Sequence, residues 1–355
     1  FYLSRAVDPV VFGTYGVVIN VLTWTESVVE TGVPWAIRKF LPADPEASGS
    51  ILRVGLAWQM VIAVLLYAIT MLVAPWFTAA IRDSGLTLCL RLALTDVLVM
   101  ALYTFYRAAL NGFHLFAAQG TSMAAYAAGK LAFSVLLVSL GYSLTGAIIG
   151  NILASLVGWL AALLLLQRTI GSPLSVAAIP IEQTSRRYDG RTILGFAMPT
   201  VLFALTSTFL TSVGLLGVKA LVADGAQVGY YSAAHYLAAV PTLLLIAFSL
   251  TLLPHLAGSI AVQDWSMTRA YIRSAVRYLT LVLIPGTFLV LGTSSQLMSI
   301  VYPKHYAVAA PLLNLLIIST GLYNLYMVLA NAILAEGRVL LALSIPSTLV
   351  PVSVL

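Results

Sequence analysis

The sequence has very few charged residues for its length. Aspartate, glutamate, lysine and arginine make up 8% of the 355 residues, whereas an average soluble domain contains about 25%. Hydrophobic residues reach 61%, and the mean hydropathy is +1.00. Because so few charged side chains cannot cover a water-exposed surface, the composition excludes a soluble globule and predicts a protein whose solvent is lipid.

The sequence also lacks the residue patterns of enzymes and metalloproteins. Its one cysteine, Cys89, excludes internal disulfides and cysteine-rich metal sites. The four histidines show no metal-ligand spacing, and there is no G-x-S-x-G, P-loop or H-E-x-x-H motif. We therefore predict a protein that is not an enzyme and that has no metal site and no cofactor.

The net charge of +6 does not indicate a nucleic-acid partner. Basic residues lie mainly in short gaps between long apolar segments, where they orient membrane helices. When successive segments alternate sides, most lysines and arginines fall on one side, among them Arg38, Arg53 and Arg107. The positive-inside rule assigns that side to the cytoplasm. The sequence thus predicts a multi-pass protein of the cytoplasmic membrane.

Long apolar segments predict an all-α fold of membrane-spanning helices, each of which needs about 20 residues. Turn-forming sequences such as Pro42-Ala-Asp-Pro45, Asp224-Gly225 and Tyr302-Pro303-Lys304 separate the segments. The predicted spans are 12–36, 54–80, 86–110, 120–142, 144–167, 192–218, 226–253, 270–296, 307–333 and 339–355.

The longest gap between apolar segments divides the sequence into two halves. We predict an N-terminal helix bundle at 1–167, a cytoplasmic linker at 168–191 and a truncated C-terminal bundle at 192–355. An internal repeat relates the halves, since Phe12-Gly13-Thr14-Tyr15 and Val228-Gly229-Tyr230-Tyr231 each open a span. Repeats of this parallel kind are a known plan of transporters. Span 192–218 finds only residues 1–4 as its counterpart, so we expect most of the first helix to precede Phe1.

Acidic residues inside predicted spans are the first candidates for function. A charge in the middle of a membrane helix costs about 2.5–3.5 kcal/mol on insertion scales and usually faces a cavity. Glu26 and Glu30 lie one turn apart in the first span, and Asp96 shares a helix face with Arg107 in the third. The acids could bind a proton or a cation, or Glu26 and Glu30 could form a polar packing face that pairs with Arg38 or Lys39.

Lys130 is a basic residue placed deep inside a predicted span. It lies between a third and halfway along the fourth span, and Ser122 and Tyr126 precede it at intervals of one turn. A cation at this depth could receive an anionic headgroup, or it could pair with Asp96 or Glu30. Polar faces on several helices together favour an aqueous cavity over dry helix packing.

Several motifs resemble the Wzx-type polysaccharide flippases, in the family's order and over nearly all of the chain. Leu3-Ser4-Arg5, Pro9 and Phe12-Gly13-x-Tyr15 are similar to the family's opening. The stretch from Glu30 to Phe40 is similar to its second helix and cytoplasmic exit. In the other half, the matching stretches are Val228 to Ala234, Leu253-Pro254-His255, Ile300 to Leu312 and Ala335 to Arg338.

This resemblance implies the multidrug/oligosaccharidyl-lipid/polysaccharide (MOP) exporter superfamily. Its members have 12–14 helices in two parallel-repeat bundles, which form a V around a central cationic cavity. They flip isoprenoid diphosphate-linked oligosaccharides by alternating access, driven by an ion gradient or by the membrane potential. Where many members have an aspartate in the seventh helix, this sequence has Leu216-Gly-Val-Lys219, so that position offers no acid for an ion role.

The resemblance also suggests roles for the charged residues of the spans. We expect the basic side chains to contact the substrate diphosphate and the acidic ones to take part in ion coupling. The expected substrate-binding residues are Lys130, Arg38 and Arg107, and the expected ion-coupling residues are Glu26, Glu30 and Asp96. The partners expected are membrane lipid, the lipid-linked oligosaccharide, H+ or Na+, and other membrane proteins of polysaccharide assembly.

Two other functions of the same superfamily stay open, those of a drug/cation antiporter and of a peptidoglycan-precursor flippase. A drug exporter should have a cavity dominated by acids and aromatic rings, whereas a basic lining favours a lipid-linked sugar. A membrane glycan polymerase or ligase belongs to a different class. It would lengthen or transfer a glycan, while a flippase changes only the side of the membrane on which its substrate lies.

Overall fold

The computed structural model describes residues 2–81, 83, 85–170, 189–222, 224–242 and 265–335, and these residues form helices and no strands. The α-helices are α1 (Tyr2–Ala6), α2 (Pro9–Ala43), α3 (Ser48–Ala80), α4 (Leu86–Leu94), α5 (Asp96–Gly112), α6 (Phe116–Leu137), α7 (Ser143–Ile170), α8 (Gly190–Leu221), α9 (Gly225–Ala238), α10 (Trp265–Val301) and α11 (Ala310–Ala335). The prediction of an all-α fold is confirmed for this part of the chain.

Six helical stretches of the described residues are long and apolar enough to cross a membrane. One of them, Phe116–Thr169, contains the turn at Val138–Tyr142 and therefore holds two predicted spans. The helix α2, predicted as the first span, is not among the six, because Asn20, Glu26 and Glu30 interrupt its apolar sequence. The predicted span 339–355 lies outside the described residues.

Two of the predicted turns contain aspartate caps. The side chain of Asp44 accepts a hydrogen bond from the Ala47 amide at 3.3 Å and begins a short 3-10 helix, Pro45–Ala47. The side chain of Asp224 accepts one from the Ala226 amide at 2.9 Å and begins α9. Such caps satisfy amide groups that have no partner within the helix, so the predicted breaks coincide with helix starts.

The helices pack into two compact units, and α2 and α8 contribute residues to both. The first unit is residues 17–216, and the second unit combines residues 1–16 with residues from 217 onward. The predicted linker 168–191 lies mostly outside the described residues. The predicted division at 1–167, 168–191 and 192–355 therefore stays a prediction. The two units are a different division, which follows from the contacts between residues.

The core of the first unit lies where α2, α3 and α5 meet. Ile37 and Leu41 of α2, Ile51 of α3, and Phe105 and Leu110 of α5 are buried together. The described part of the second unit has its own core, in which Tyr302 donates its hydroxyl to the Ala233 carbonyl at 3.0 Å. Each unit thus has the apolar interior expected of a helix bundle.

Arg5 supports the second unit as a helix cap. Its guanidinium donates to the carbonyls of Ile300 at 2.8 Å and Val301 at 3.2 Å, at the C-terminal end of α10. A cation at this end of a helix satisfies free carbonyl groups and interacts favourably with the helix dipole.

The repeated glycine motif has a packing explanation within the second unit. A Cβ atom on Gly13 would lie 2.6 Å from the Gly229 nitrogen, and a Cβ atom on Gly229 would lie 2.1 Å from the Pro9 carbonyl oxygen. Only glycine permits such a close approach of two helix backbones. The two copies of the motif therefore meet each other, and each copy needs its glycine for the same reason.

We expect Gly229→Ala to lower the stability of the protein by about 1–3 kcal/mol or more, because the new methyl group would force α2 and α9 apart. The measurement is the thermal unfolding midpoint of the purified protein in detergent micelles. Gly292→Ala is the matched control, since a Cβ atom on Gly292 would meet no atom within 4 Å. Equal unfolding midpoints for the two variants would contradict the close-approach explanation.

Candidate functional site

The structure brings all six predicted site residues into the first unit. Three helices carry them: α2 (Glu26, Glu30 and Arg38), α5 (Asp96 and Arg107) and α6 (Lys130). Three are carboxylic acids and three are bases, so the site contains formal charges of both signs in equal number. We call these six residues, together with Tyr103, Tyr126, Asn151 and Ser155, the charged cluster.

One end of the charged cluster is an acid pair. Asp96 is fully buried and Glu26 is 7% exposed, and their carboxyl groups lie within hydrogen-bonding reach of each other. Asn151 of α7 donates its side-chain amide to Asp96 Oδ2 at 2.6 Å, and Ser155 lies one helical turn further along the same face. The helix α7 thus provides the polar groups that hold Asp96 in place.

Three oxygen atoms at the acid pair have no hydrogen-bond donor in the part of the chain that the structure describes. They are Glu26 Oε1, Asp96 Oδ1 and Asn151 Oδ1, and all three are buried. A buried polar atom without a partner costs about 1–3 kcal/mol, so such atoms call for an explanation. Oxygen atoms in this arrangement can accept a proton or coordinate a hard cation such as Na+.

Lys130 faces the acid pair from α6. Its ammonium group is near enough to Glu26, Asp96 and Glu30 to interact electrostatically with all three. It also lies over the ring of Tyr126, with 5.7 Å between Nζ and the ring centroid. Lys130 is half-buried and lies near both of the acids, Asp96 and Glu30, that the sequence offered as its partners.

Two stacked tyrosine rings connect Lys130 to the basic end of the cluster. Tyr126 of α6 and Tyr103 of α5 stack with 5.3 Å between their centroids and 21° between their planes. The guanidinium of Arg107 lies over the ring of Tyr103, 5.1 Å from the ring centroid. Lysine, two rings and arginine thus form one continuous cation–π arrangement between two helices.

The basic end of the charged cluster consists of two arginines, Arg38 of α2 and Arg107 of α5. Arg38 is repelled electrostatically by Arg107 and attracted by Glu30. The Nε atom of each arginine is buried without an acceptor among the described residues. Guanidinium groups have a planar set of donors that matches phosphate and carboxylate oxygens. The two arginines and one glutamate leave an excess of positive charge here, which suits an anion.

Lys39 does not belong to the charged cluster. It is exposed, and its ammonium group lies over the ring of Phe196 with 4.2 Å to the centroid. Of the two bases suggested as packing partners of the acids, Arg38 is therefore near Glu30, while Lys39 contacts an aromatic ring.

Asn151 and Ser155 were not predicted from the sequence. Both lie in the middle of an apolar predicted span and are four residues apart, which places them on one helix face. A buried asparagine in a membrane helix is itself a signal, because its amide needs partners that lipid cannot provide. Gln59 was missed for the same reason, and it donates to the carbonyls of Val29 at 2.9 Å and Ala101 at 3.1 Å.

The charged cluster lies within the part of the chain that matches a known protein family. The family model described as "Polysaccharide biosynthesis protein" matches residues 1–259, which include the whole cluster. The chain belongs to this family. The prediction from the short motifs is thereby confirmed. Comparison with curated protein sequences gives no match.

Solved structures share the fold. A multidrug resistance MATE family transporter of the MOP superfamily in an inward-facing conformation has a TM-score of 0.77 and 12% identity, over 97% of this chain and 81% of that one. A eukaryotic MATE transporter has a TM-score of 0.67 and 14% identity, over 92% of this chain and 75% of that one. The family member described here therefore has the MATE-like fold with its two helix bundles, as predicted.

We expect a double-mutant cycle to show that Asp96 and Asn151 are coupled. Asn151→Ala removes a charge-assisted hydrogen bond from a buried carboxyl group and should lower stability by about 1.5–3 kcal/mol. In the Asp96→Asn background the same change should cost much less, because no carboxylate then needs the donor. The measurement is the free energy of unfolding in a mixed-micelle titration.

Asn314→Ala is the control for this cycle. Asn314 also has a buried side-chain oxygen but belongs to the second unit, so its effect should add to that of Asp96→Asn. Additive effects of Asp96→Asn and Asn151→Ala would contradict the role of Asn151 as the partner of Asp96.

Proposed function

We propose that this protein, a transporter of the MOP superfamily by family and fold, flips an isoprenoid diphosphate-linked oligosaccharide across the cytoplasmic membrane by alternating access. The observation that carries the proposal is the pair of guanidinium groups, Arg38 and Arg107, whose buried Nε atoms have no acceptor among the described residues. A diphosphate supplies several acceptor oxygens and the negative charge that this pair favours. The family description, polysaccharide biosynthesis, agrees with a sugar-bearing lipid.

Lys130 extends the proposed anion site towards the acid pair. The stack of Tyr126 and Tyr103 connects it to Arg107 at the basic end, and the Lys130 side chain is half-buried. A lysine supplies a point charge that suits phosphate without the planar geometry of arginine. We infer that the three bases together replace the hydration of the diphosphate while the sugar crosses. No covalent step is needed for this.

A drug/cation antiporter is the second candidate, and a specific observation favours it. Tyr103 and Tyr126 present stacked rings next to buried acids, which is the lining expected for a cationic, aromatic substrate. One of the solved proteins that share the fold is a multidrug resistance transporter. The equal number of acids and bases does not decide between the two substrates, but the three bases of the charged cluster favour the lipid-linked sugar, since a cationic drug has no need of them.

The test of the proposal follows an undecaprenyl diphosphate-linked sugar in proteoliposomes, with a membrane-impermeant reagent that detects the sugar on one side only. We expect the wild-type protein to move the sugar to the other side of the membrane. Lys130→Ala and Arg38→Ala should each bind undecaprenyl diphosphate about 10- to 100-fold more weakly, because each removes about 1.5–3 kcal/mol of charge-assisted hydrogen bonding.

Arg91→Ala is the charge-matched control, because Arg91 is exposed on α4 and bonds only weakly, to the Met71 carbonyl at 3.4 Å. Its flipping rate should equal that of the wild type. Efflux of a cationic dye with no movement of the lipid-linked sugar would replace the proposal by the antiporter. Elongation or transfer of the sugar would instead indicate a glycan polymerase or ligase.

Ion coupling should depend on the acid pair. A diphosphate bound at the basic end adds negative charge to the buried site, so a proton or Na+ that binds at Glu26 and Asp96 lowers the net charge that has to be buried. We expect Glu26→Gln and Asp96→Asn to abolish the response of the flipping rate to an imposed H+ or Na+ gradient. Glu46→Gln, which neutralises an exposed acid in the 3-10 helix Pro45–Ala47, should leave that response unchanged.

The proposed coupling has a clear contrary result. If Glu26→Gln flips its substrate with the same gradient dependence as Glu46→Gln, the acid pair does not couple transport to an ion. The assignment of the diphosphate to the basic end would be unaffected, because it is measured by binding in the absence of a gradient.

A further inference from the structure

The first unit contains a cavity that lies outside the charged cluster. It has a volume of about 290 Å³ and is lined by residues of α2, α3, α4 and α8. Aromatic rings form much of its wall, namely Trp24 of α2, Phe77 of α3 and Phe209 of α8. We call it the apolar groove.

The wall of the apolar groove exposes no polar atoms, although three hydroxyl-bearing residues line it. The Thr25 hydroxyl donates to the Val21 carbonyl at 2.9 Å, and the Thr70 hydroxyl to the Leu66 carbonyl at 2.8 Å. Ser212 is 2% exposed. Because the two threonine hydroxyls bond within their own helices and Ser212 is buried, water would find no partner at the wall of the groove, and a hydrocarbon ligand fits it better.

The groove opens onto an exposed apolar surface. Val73 and Trp24 line it and are 44% and 39% exposed, and the neighbouring residues Leu72 and Trp76 of α3 are 70% and 73% exposed. In a membrane protein such an apolar surface faces acyl chains. A chain in the bilayer can therefore enter the groove sideways without crossing a polar barrier.

The position of the groove relative to the proposed diphosphate site indicates which chain enters it. Trp24 precedes Arg38 by 14 residues on α2, which at 1.5 Å per residue is about 21 Å. The chains of one leaflet fill only about 15 Å of a hydrocarbon layer about 30 Å thick. A lipid whose phosphate lies at Arg38 thus needs a tail longer than that of an ordinary phospholipid to reach the groove.

We propose that the apolar groove binds the polyisoprenyl tail of the substrate, at a distance from its diphosphate. The proposal rests on the proposed function, which supplies the isoprenoid. A cavity of about 150 Å³ holds one benzene ring, so a groove about twice as large holds about two isoprene units. The planar double bonds of those units lie against the rings of Trp24, Phe77 and Phe209.

The test uses a polyprenyl monophosphate that bears a diazirine at the end of its tail and has no sugar. The purified full chain is placed in nanodiscs of phosphatidylethanolamine and phosphatidylglycerol and irradiated, and the crosslinked peptides are identified by mass spectrometry. We expect crosslinks within 21–25, 70–77 and 209–216, and their loss when unlabelled polyprenyl phosphate is added in excess.

Two variants fill the groove, so that the test does not depend on one of them folding. Ala74→Trp fills its buried wall, and Val73→Trp fills its exposed rim. Each should reduce the groove crosslinks at least tenfold. Leu72→Trp is the control, because it adds the same side chain to the exposed surface of the same helix and should leave the crosslinks at the wild-type level.

Three results would overturn the proposal. The first is crosslinks spread over the whole exposed apolar surface, and the second is groove crosslinks that Val73→Trp leaves unchanged. The third is that excess phosphatidylglycerol displaces the probe as well as polyprenyl phosphate does, which would make the occupant an ordinary bilayer lipid. Because the probe has no sugar, groove crosslinks in a protein that flips no glycan would refute the proposed function alone. Flipping without groove crosslinks would refute the groove alone.

Discussion

The cost of placing charge in an apolar environment governs the arrangement of the first unit. Each isolated charge in the middle of a membrane helix costs about 2.5–3.5 kcal/mol on insertion scales, and six ionisable side chains converge here from α2, α5 and α6. No single partner could compensate all of them. The structure meets the cost by bringing three acids and three bases together, so that each charge has neighbours of opposite sign within the same unit.

Small residues and internal hydrogen bonds allow this convergence. A Cβ atom on Gly158 of α7 would lie 3.0 Å from both Tyr103 and Tyr126, so this glycine gives the tyrosine stack its place against α7. The Thr104 hydroxyl donates to the Val29 carbonyl at 3.1 Å and ties α5 to α2. The charged cluster is thus held by neutral contacts around it, and its charged groups do not also have to fix the helices.

The sequence predicted the members of the cluster better than their contacts. Polar residues at helical intervals identified Glu26, Glu30 and Lys130, because a polar residue in an apolar segment stands out against its surroundings. The proximity of Lys130 to Asp96 depends on how α5 and α6 pack, which no local pattern encodes. Asn151 was overlooked because it carries no charge, although a buried amide needs a partner as much as a carboxylate does.

Because of its charge balance, the cluster should bind a cation together with one candidate substrate and release a cation when it binds the other. Three acids and three bases are formally neutral, and a buried site pays heavily for any net charge. A diphosphate adds negative charge, so we expect a proton or Na+ to bind with it. A cationic drug adds positive charge, so a cation must leave as it binds. One set of residues therefore supports co-binding with an anionic substrate and exchange with a cationic one, and the sign of the substrate alone decides which occurs.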